Sequence, residues 1–220
     1  MKRIISFALW GQNTLYTHGA VRNAERYAEF YPGWTCRFYH DDTVPSDILE
    51  KIAATGAEMW VMGRSTDVLG MYWRFHPMFD DPQVERFIVR DTDSFFTKRE
   101  AMAVQEWIDS GLPFHIMRDN QVHNVSILGG TWGAVPGCVP NFQRRLSMWM
   151  ATVRPQPKND RGLFHGTDQI FLHCLVWPEI RDKHMAHVRE GMEHLKCTTK
   201  DRWFPVPVET ENGHYVGMVA

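Results

Sequence analysis

The strongest constraint on this chain is the alternation in its first ~120 residues, where short apolar runs take turns with helix-periodic segments, as in α/β proteins. Ile4 to Trp10 is an apolar run, with Ser6 its one polar residue, that stops at Gly11. Such a run fits a strand buried on both faces. Ala20, Ala24, Tyr27, Ala28 and Tyr31 recur at helical spacing, and Pro32-Gly33 closes that segment. Trp34 to Tyr39 reads as a second strand that runs out into His40-Asp41-Asp42. Ser46 is placed to cap a helix to about Thr55, and Glu58 to Met62 is a short strand. Ser65 or Thr66 would cap a helix through Met71, Trp73 and Arg74 that stops near Pro77. Phe87 to Val89 is strand-like, Lys98 to Ser110 helical up to Gly111, and Leu112 to Met117 strand-like again. The alternation predicts a mostly parallel sheet with helices on both faces.

The later part is less regular. Two helices are expected near Val139 to Met150 and Thr167 to Val176, with a polar loop from Lys158 to Gly162. No repeat, low-complexity tract or Gly/Pro/Ser-rich linker divides residues 1–220, so one α/β domain with a looser C-terminal half is predicted. With 44% hydrophobic and 13% aromatic residues, the chain can build a sizeable core. The formal charge of −2 offers no basic excess, which argues against wrapping nucleic acid. Cys36, Cys138, Cys174 and Cys197 are scattered without a C-x-x-C pair and read as reduced thiols, as in a cytoplasmic protein. The opening MKRIISFALWG imitates a signal peptide, but its apolar run is too short for a spanning helix and no small-x-small cleavage site follows, so a first strand is the better reading; no other stretch approaches the ~18 apolar residues of a membrane span.

In open α/β sheets, ligands bind outside the carboxyl ends of the strands. There this sequence places Trp10, Gly11, Gln12, Asn13 and Tyr16, then Asp41 and Asp42. The strand at Phe87 supplies Arg90, Asp91, Thr92, Asp93 and Ser94, and the next supplies Arg118, Asp119, Asn120 and His123. In an extended segment residues i and i+2 share a face, so Asp91 and Asp93 would present carboxylates to one point. Unpaired, they repel and one protonates. A hard divalent cation removes the conflict, with phosphate oxygens and water as its further ligands. A turn or cap role is the bland alternative for the pair.

The run "IVRDTDSFFTKREAMAVQEWIDSGLPFHIMRD", followed by "ILGGTWGA", resembles GT-A fold glycosyltransferases with an R-D-x-D-S motif. The likeness is specific over Phe87 to Ala134. "GTDQIFL" at Gly166 to Leu172 looks like the D-Q motif of retaining enzymes that move hexoses from UDP-sugars. "HYVG" at His214 to Gly217 looks like their H-x-x-G, though without the Lys-Pro-Trp that usually follows.

The resemblance implies a single GT-A domain over 1–220, with a nucleotide-binding half at 1–120 and a donor-sugar and acceptor half at 121–220. It implies that Asp91, Asp93 and His214 hold Mn²⁺ or Mg²⁺ against the diphosphate of a UDP-sugar. Arg74 would steady the phosphates or the acidic motif, and Arg90 would pair with Asp91 or the diphosphate. Trp10, Gly11, Tyr16, Asp41 and Thr92 lie where base, ribose and phosphates bind. Arg118, Gly130 and Trp132 would face the donor sugar, with Trp132 stacking on a pyranose. Asp168 and Gln169 would stabilise an oxocarbenium-like centre in a retaining mechanism; an inverting one would need Asp119 or Asp168 as base. The partners implied are a nucleotide-sugar donor and a glycan or other hydroxyl acceptor, and the chain would suit one module of a larger glycan-building protein.

Two other patterns compete. His184, His187, His194 and Cys197 have H-x-x-H…H-x-x-C spacing suggestive of zinc, but the stretch reads as a helix with a solvated face. A phosphohydrolase using Asp91 as nucleophile, or a non-catalytic sugar-nucleotide-binding domain, would also account for the acidic pair. Neither donor sugar, acceptor, linkage nor oligomeric state is legible in the residues.

Overall fold

The computed structural model describes residues 1–64, 68–153, 166–196, 198–199 and 201–219. The expected caps Ser65 and Thr66, the expected loop Lys158 to Gly162 and the zinc candidate Cys197 lie outside them.

Strand β1 (Lys2–Leu9) leads through helix α1 (Thr14–Phe30) to β2 (Thr35–His40), then through α2 (Ser46–Ala54) to β3 (Glu58–Val61). A segment of 3-10 turns (Val68–Met78) precedes β4 (Val84–Arg90), followed by α3 (Lys98–Ser110), β5 (Phe114–Arg118), β6 (Thr131–Ala134) and α4 (Phe142–Thr152). Helix α5 (Thr167–Phe171) continues through a wider π turn (Leu172–Val176) into α6 (Trp177–Ile180), then β7 (His184–Val188) and β8 (Arg202–Trp203). All eight strands form one sheet in the order β3-β2-β1-β4-β6-β5-β7-β8. β6 runs antiparallel to β4 and β5, and the other pairings are parallel. The fold is thus the expected single α/β domain, a mostly parallel sheet flanked by helices.

The apolar strands follow from two cores. Ile4, Phe87 and Val89 pack on one face with Tyr72, Phe75, Phe142, Leu146 and Phe171. Ile5, Phe7, Leu9 and Ile88, one residue out of phase, pack on the other with Ala20, Ala24, Ile48, Ile52, Val104 and Trp107. Period-two alternation therefore places both sets of side chains under helices. Helix α3 matches its expected span, with Thr97 Oγ1 accepting from the Glu100 N–H at 3.0 Å and Gly111 ending it at φ 68°.

Four local expectations need correction. Ser46 is the first helical residue, not the cap; Pro45 occupies the cap position without a side-chain bond. Thr131 to Ala134, assigned to no element above, forms β6 between β4 and β5. Its glycines masked the strand signal. The stretch at His184 is strand β7 rather than helix, and among the described residues His184, His187 and His194 form no group arranged to hold a metal ion. Finally, Asp91 to Ser94 is a turn rather than extended chain, closed by Ser94 Oγ donating to the Asp91 carbonyl at 2.8 Å. Among the described residues no helix is long and apolar enough to cross a membrane.

Candidate functional site

The sheet order reverses direction between β1 and β4: β2 and β3 extend from one side of β1, and β4 starts the other. Loops leaving adjacent strands at such a switch point diverge and leave a crevice. A cavity of about 500 Å³ lies there. Its lining includes Trp10, Gly11, Asn13 and Tyr16 after β1, Asp91, Thr92 and Asp93 after β4, and Gly129 and Gly130 before β6. Because β6 is antiparallel, Thr131 pairs with Arg90, and the start of β6 meets the end of β4. Arg74, Asp168 and Gln169 complete the polar wall. Asn13 caps α1, its side chain accepting from the Leu15 N–H at 3.0 Å, so that helix begins at the cavity edge.

The acidic turn is fixed from behind. Asn23 donates to the Thr92 carbonyl at 2.9 Å, and Arg22 to the Ser94 carbonyl at 3.1 Å. Gly19 is needed on α1 because a Cβ there would overlap the Thr92 carbonyl. Val219 pairs with Ser94 in an isolated antiparallel bridge, which brings Gly217 and Val219 to the cavity.

Arg74 ties three elements together. One guanidinium nitrogen is ion-paired with Asp91 and the other donates to Asp168 at 2.8 Å. Asp168 also accepts from the Gln169 N–H at 2.9 Å. These carboxylates press against the chain before β6: a Cβ on Gly130 would overlap the Asp91 carboxylate, and one on Gly129 the Asp168 carboxylate. The Gly-Gly pair is thus required by the acidic cluster, a reason different from the expected approach of backbone to sugar.

Burial, then repulsion from Asp91, pushes Asp93 up to about 6, against the pull of Arg74 and Arg22. Burial and the same two carboxylates raise the Tyr16 phenol, which stays protonated and a hydrogen-bond donor at neutral pH. His123, lowered to about 4 by burial, is neutral. Its Nδ1 accepts from the Asp119 N–H at 3.0 Å, which leaves the proton on Nε2.

A stability prediction follows for the metal-free protein. The folded state holds Asp93 at a raised pKa of about 6, so its ionisation opposes folding. That penalty is absent below the unfolded value, grows as pH rises toward 6, and is complete above it. Asp93→Asn should therefore raise the metal-free Tm at pH 7.5 by about 2–4 °C, taking ~1 kcal/mol after solvent screening. The gain should vanish near pH 4; a gain of equal size at both pH values would contradict the assignment.

Of the residues singled out in the sequence, the fold brings Trp10, Gly11, Tyr16, Arg74, Asp91, Thr92, Asp93, Gly130, Asp168 and Gln169 to one cavity. It places six others elsewhere. Arg90 is buried and donates to Glu100 at 2.6 Å, locking β4 to α3 instead of reaching Asp91. Asp41 is enclosed and accepts from the Thr43 N–H at 3.0 Å, while Thr43 Oγ1 accepts from the Gly11 N–H at 2.7 Å. It thereby shapes the loop beside the cavity. Arg118 is buried and donates to the Val125 carbonyl at 3.0 Å. Asp119 takes two bonds from Arg99, at 2.9 and 2.7 Å, and one from the Val216 N–H at 2.9 Å. Its fully enclosed carboxylate anchors the C-terminal segment and is not presented as a base. Trp132 is a core residue stacked on Phe114 at 5.2 Å, with no face for a sugar. His214 stacks on Phe95 at 5.4 Å and does not line the cavity. Met71, Leu128 and Val219 line the cavity without having been foreseen, and as isolated apolar residues they carry no sequence signal.

Among the described residues no group of three or more His, Cys, Asp or Glu is arranged to hold a metal ion. Two carboxylates on one turn still fit a Mg²⁺ or Mn²⁺ that takes one or two protein oxygens and completes its shell from phosphate and water. They do not fit a site enclosed by protein alone.

No family model and no curated protein matches the sequence. Among solved structures, the chain is similar to glucosyl-3-phosphoglycerate synthase from Mycobacterium tuberculosis, crystallised with Mn²⁺, UDP and phosphoglyceric acid: 8% identity, TM-score 0.42, over 63% of this chain and 57% of that one. A mycobacterial protein gives 12% identity and TM-score 0.44 over 63% and 54%. A cytidylyltransferase from Leptospira borgpetersenii gives 14% and 0.43 over 86% and 76%. The matches with the two mycobacterial structures thus span a little over half of their lengths.

Proposed function

We propose that this chain is a metal-dependent glycosyltransferase that moves a sugar, a hexose in our reading, from a UDP-sugar to a hydroxyl acceptor. The observation that carries the reading is the convergence of Asp91, Asp93 and Asp168 on one cavity at the switch point of the sheet, beside the start of α1. Among the described lining residues Arg74 is the one Lys or Arg, and it is already committed to two carboxylates. Such a wall repels a diphosphate unless a divalent cation comes with it. When bound, the cation supplies neutralisation of the charge that grows on the leaving diphosphate.

The chain's own groups supply the rest. Asp91 and Asp93 hold the cation, and the positive end of the α1 dipole, which begins at the cavity edge, favours phosphate oxygens. Tyr16 keeps its proton and can donate to a phosphate or ribose oxygen. Trp10 packs edge-on against Trp73 at 6.2 Å and presents an aromatic surface to the base. Asp168, with Arg74 holding its geometry, faces the positive charge that develops at the anomeric carbon. With Asp119 enclosed, Asp168 is the carboxylate left for either mechanism, and our choice of retention rests on the D-Q resemblance. His214 as a third ligand would require it to leave Phe95, and the reading does not depend on it.

The test is a thermal-shift screen of nucleotide-sugars with Mn²⁺. A donor at about 100 times its Kd stabilises by ~2.7 kcal/mol, or roughly 5–10 °C in Tm for a domain of this size. The expected result is a shift with UDP-hexoses and Mn²⁺ that EDTA removes. Stabilisation by no nucleotide-sugar, with or without metal, would contradict the proposal.

A further inference from the structure

Arg74 is placed unusually for a residue that would only brace two loops. Its side chain is 10% exposed, yet it reaches from the 3-10 segment to carboxylates on two other elements, Asp91 after β4 and Asp168 on α5. Its Nε is buried with no hydrogen-bond partner among the described residues. Asp91 Oδ1 is taken by this guanidinium, and Asp91 Oδ2 lies close against Gly130. One oxygen of the more exposed carboxylate is therefore held by the guanidinium, although the Asp91 side chain is 42% exposed. A cation on Asp91 Oδ1 would share that oxygen with the guanidinium, and the two positive groups would repel.

We propose that Arg74 is a built-in counter-cation that occupies Asp91 in the empty site and is displaced from it when a divalent cation enters. This rests on Asp91 being a cation ligand in the function proposed above. Asp168 is the hinge of the exchange. It keeps one guanidinium nitrogen through its 2.8 Å bond, so the arm released from Asp91 stays at the cavity wall. The freed arm is then available to phosphate oxygens of a nucleoside diphosphate, which it can meet with a planar fork. Metal entry and phosphate recognition are thereby coupled: the cation alone must evict Arg74, whereas cation and diphosphate together give the guanidinium a new partner. In the empty site Arg74 offsets part of the repulsion among the carboxylates, and the site binds metal weakly until the nucleotide arrives.

The test is calorimetric titration of Mn²⁺ alone, and of UDP in excess Mn²⁺, into wild type, Arg74→Gln and Arg74→Lys at low ionic strength. The expected result for Arg74→Gln is Mn²⁺ binding about tenfold tighter than wild type and UDP binding about tenfold weaker, the usual scale of one charge pair. Arg74→Lys keeps the charge and should stay near wild type for Mn²⁺. Opposite signs for metal and nucleotide are not produced by a residue that only supports the fold. Mn²⁺ affinity in Arg74→Gln equal to or below that of wild type would overturn the proposal. Should Arg74→Gln fail to fold, the wild-type protein decides through its arginine Nε–H resonances, with Arg74→Lys supplying the assignment. The Arg74 signal should move on addition of Mg²⁺ alone, and a signal that stays fixed while Mg²⁺ binds overturns the proposal. Failure of wild type to bind Mn²⁺ even with UDP present would instead remove the function proposed above, and this inference with it.

Discussion

Asp93→Ala is expected to abolish Mn²⁺-dependent binding of UDP and UDP-sugars, a loss of at least about 100-fold in affinity, while leaving the fold intact. The reason lies in the turn. Asp91 and Asp93 face the cavity because Asn23, Arg22 and Ser94 hold the backbone between and after them. None of those bonds uses the Asp93 side chain, so its removal leaves the turn in place. It also removes a carboxylate that costs the metal-free fold stability, having been pushed up to about 6. A variant with unchanged or higher metal-free Tm and no nucleotide binding separates a ligand role from a structural one. Unchanged UDP affinity in Mn²⁺ by calorimetry would remove Asp93 from the metal site.

Asp168→Asn should act on the chemical step instead. Asn keeps the shape but only one of the two acceptor oxygens that receive Arg74 and the Gln169 N–H, and it loses the negative charge we place opposite the developing oxocarbenium-like centre. Loss of one preorganised electrostatic partner costs about 10²–10³-fold in kcat. Donor affinity, set mainly by the cation and the diphosphate, should change less than about tenfold. Steady-state kinetics with the donor found by thermal shift would measure this. A kcat unchanged with a raised KM would make Asp168 a brace for Arg74 and nothing more.

The parallel half of the fold was legible because the two cores lie on opposite faces of the same strands. That arrangement makes the centres of β1 and β4 mostly apolar on both faces, and polar loops follow them. The sites at those strand ends, Trp10 to Tyr16 and Asp91 to Asp93, were legible for the same reason. β6 was not, since its Gly-rich start is shaped by two carboxylates from distant segments, Asp91 and Asp168. Asp119 and Arg90 were misplaced because a charged residue next to a strand end has two partners open to it, ligand or neighbour. Arg99 and Glu100, on α3, claimed them both. The long-range pairing of Arg74 with Asp168, across 94 positions, has no local signature at all.

The central claim is that two carboxylates at the switch point of the sheet bind a nucleoside diphosphate through a divalent cation. Calorimetric titration of UDP into wild-type protein, once in Mn²⁺ and once in EDTA, tests it most directly. The account predicts saturable binding in Mn²⁺ at least about 100-fold tighter than in EDTA, where the acidic wall repels the diphosphate. Equal affinity in the two buffers, or no binding in either, would contradict it.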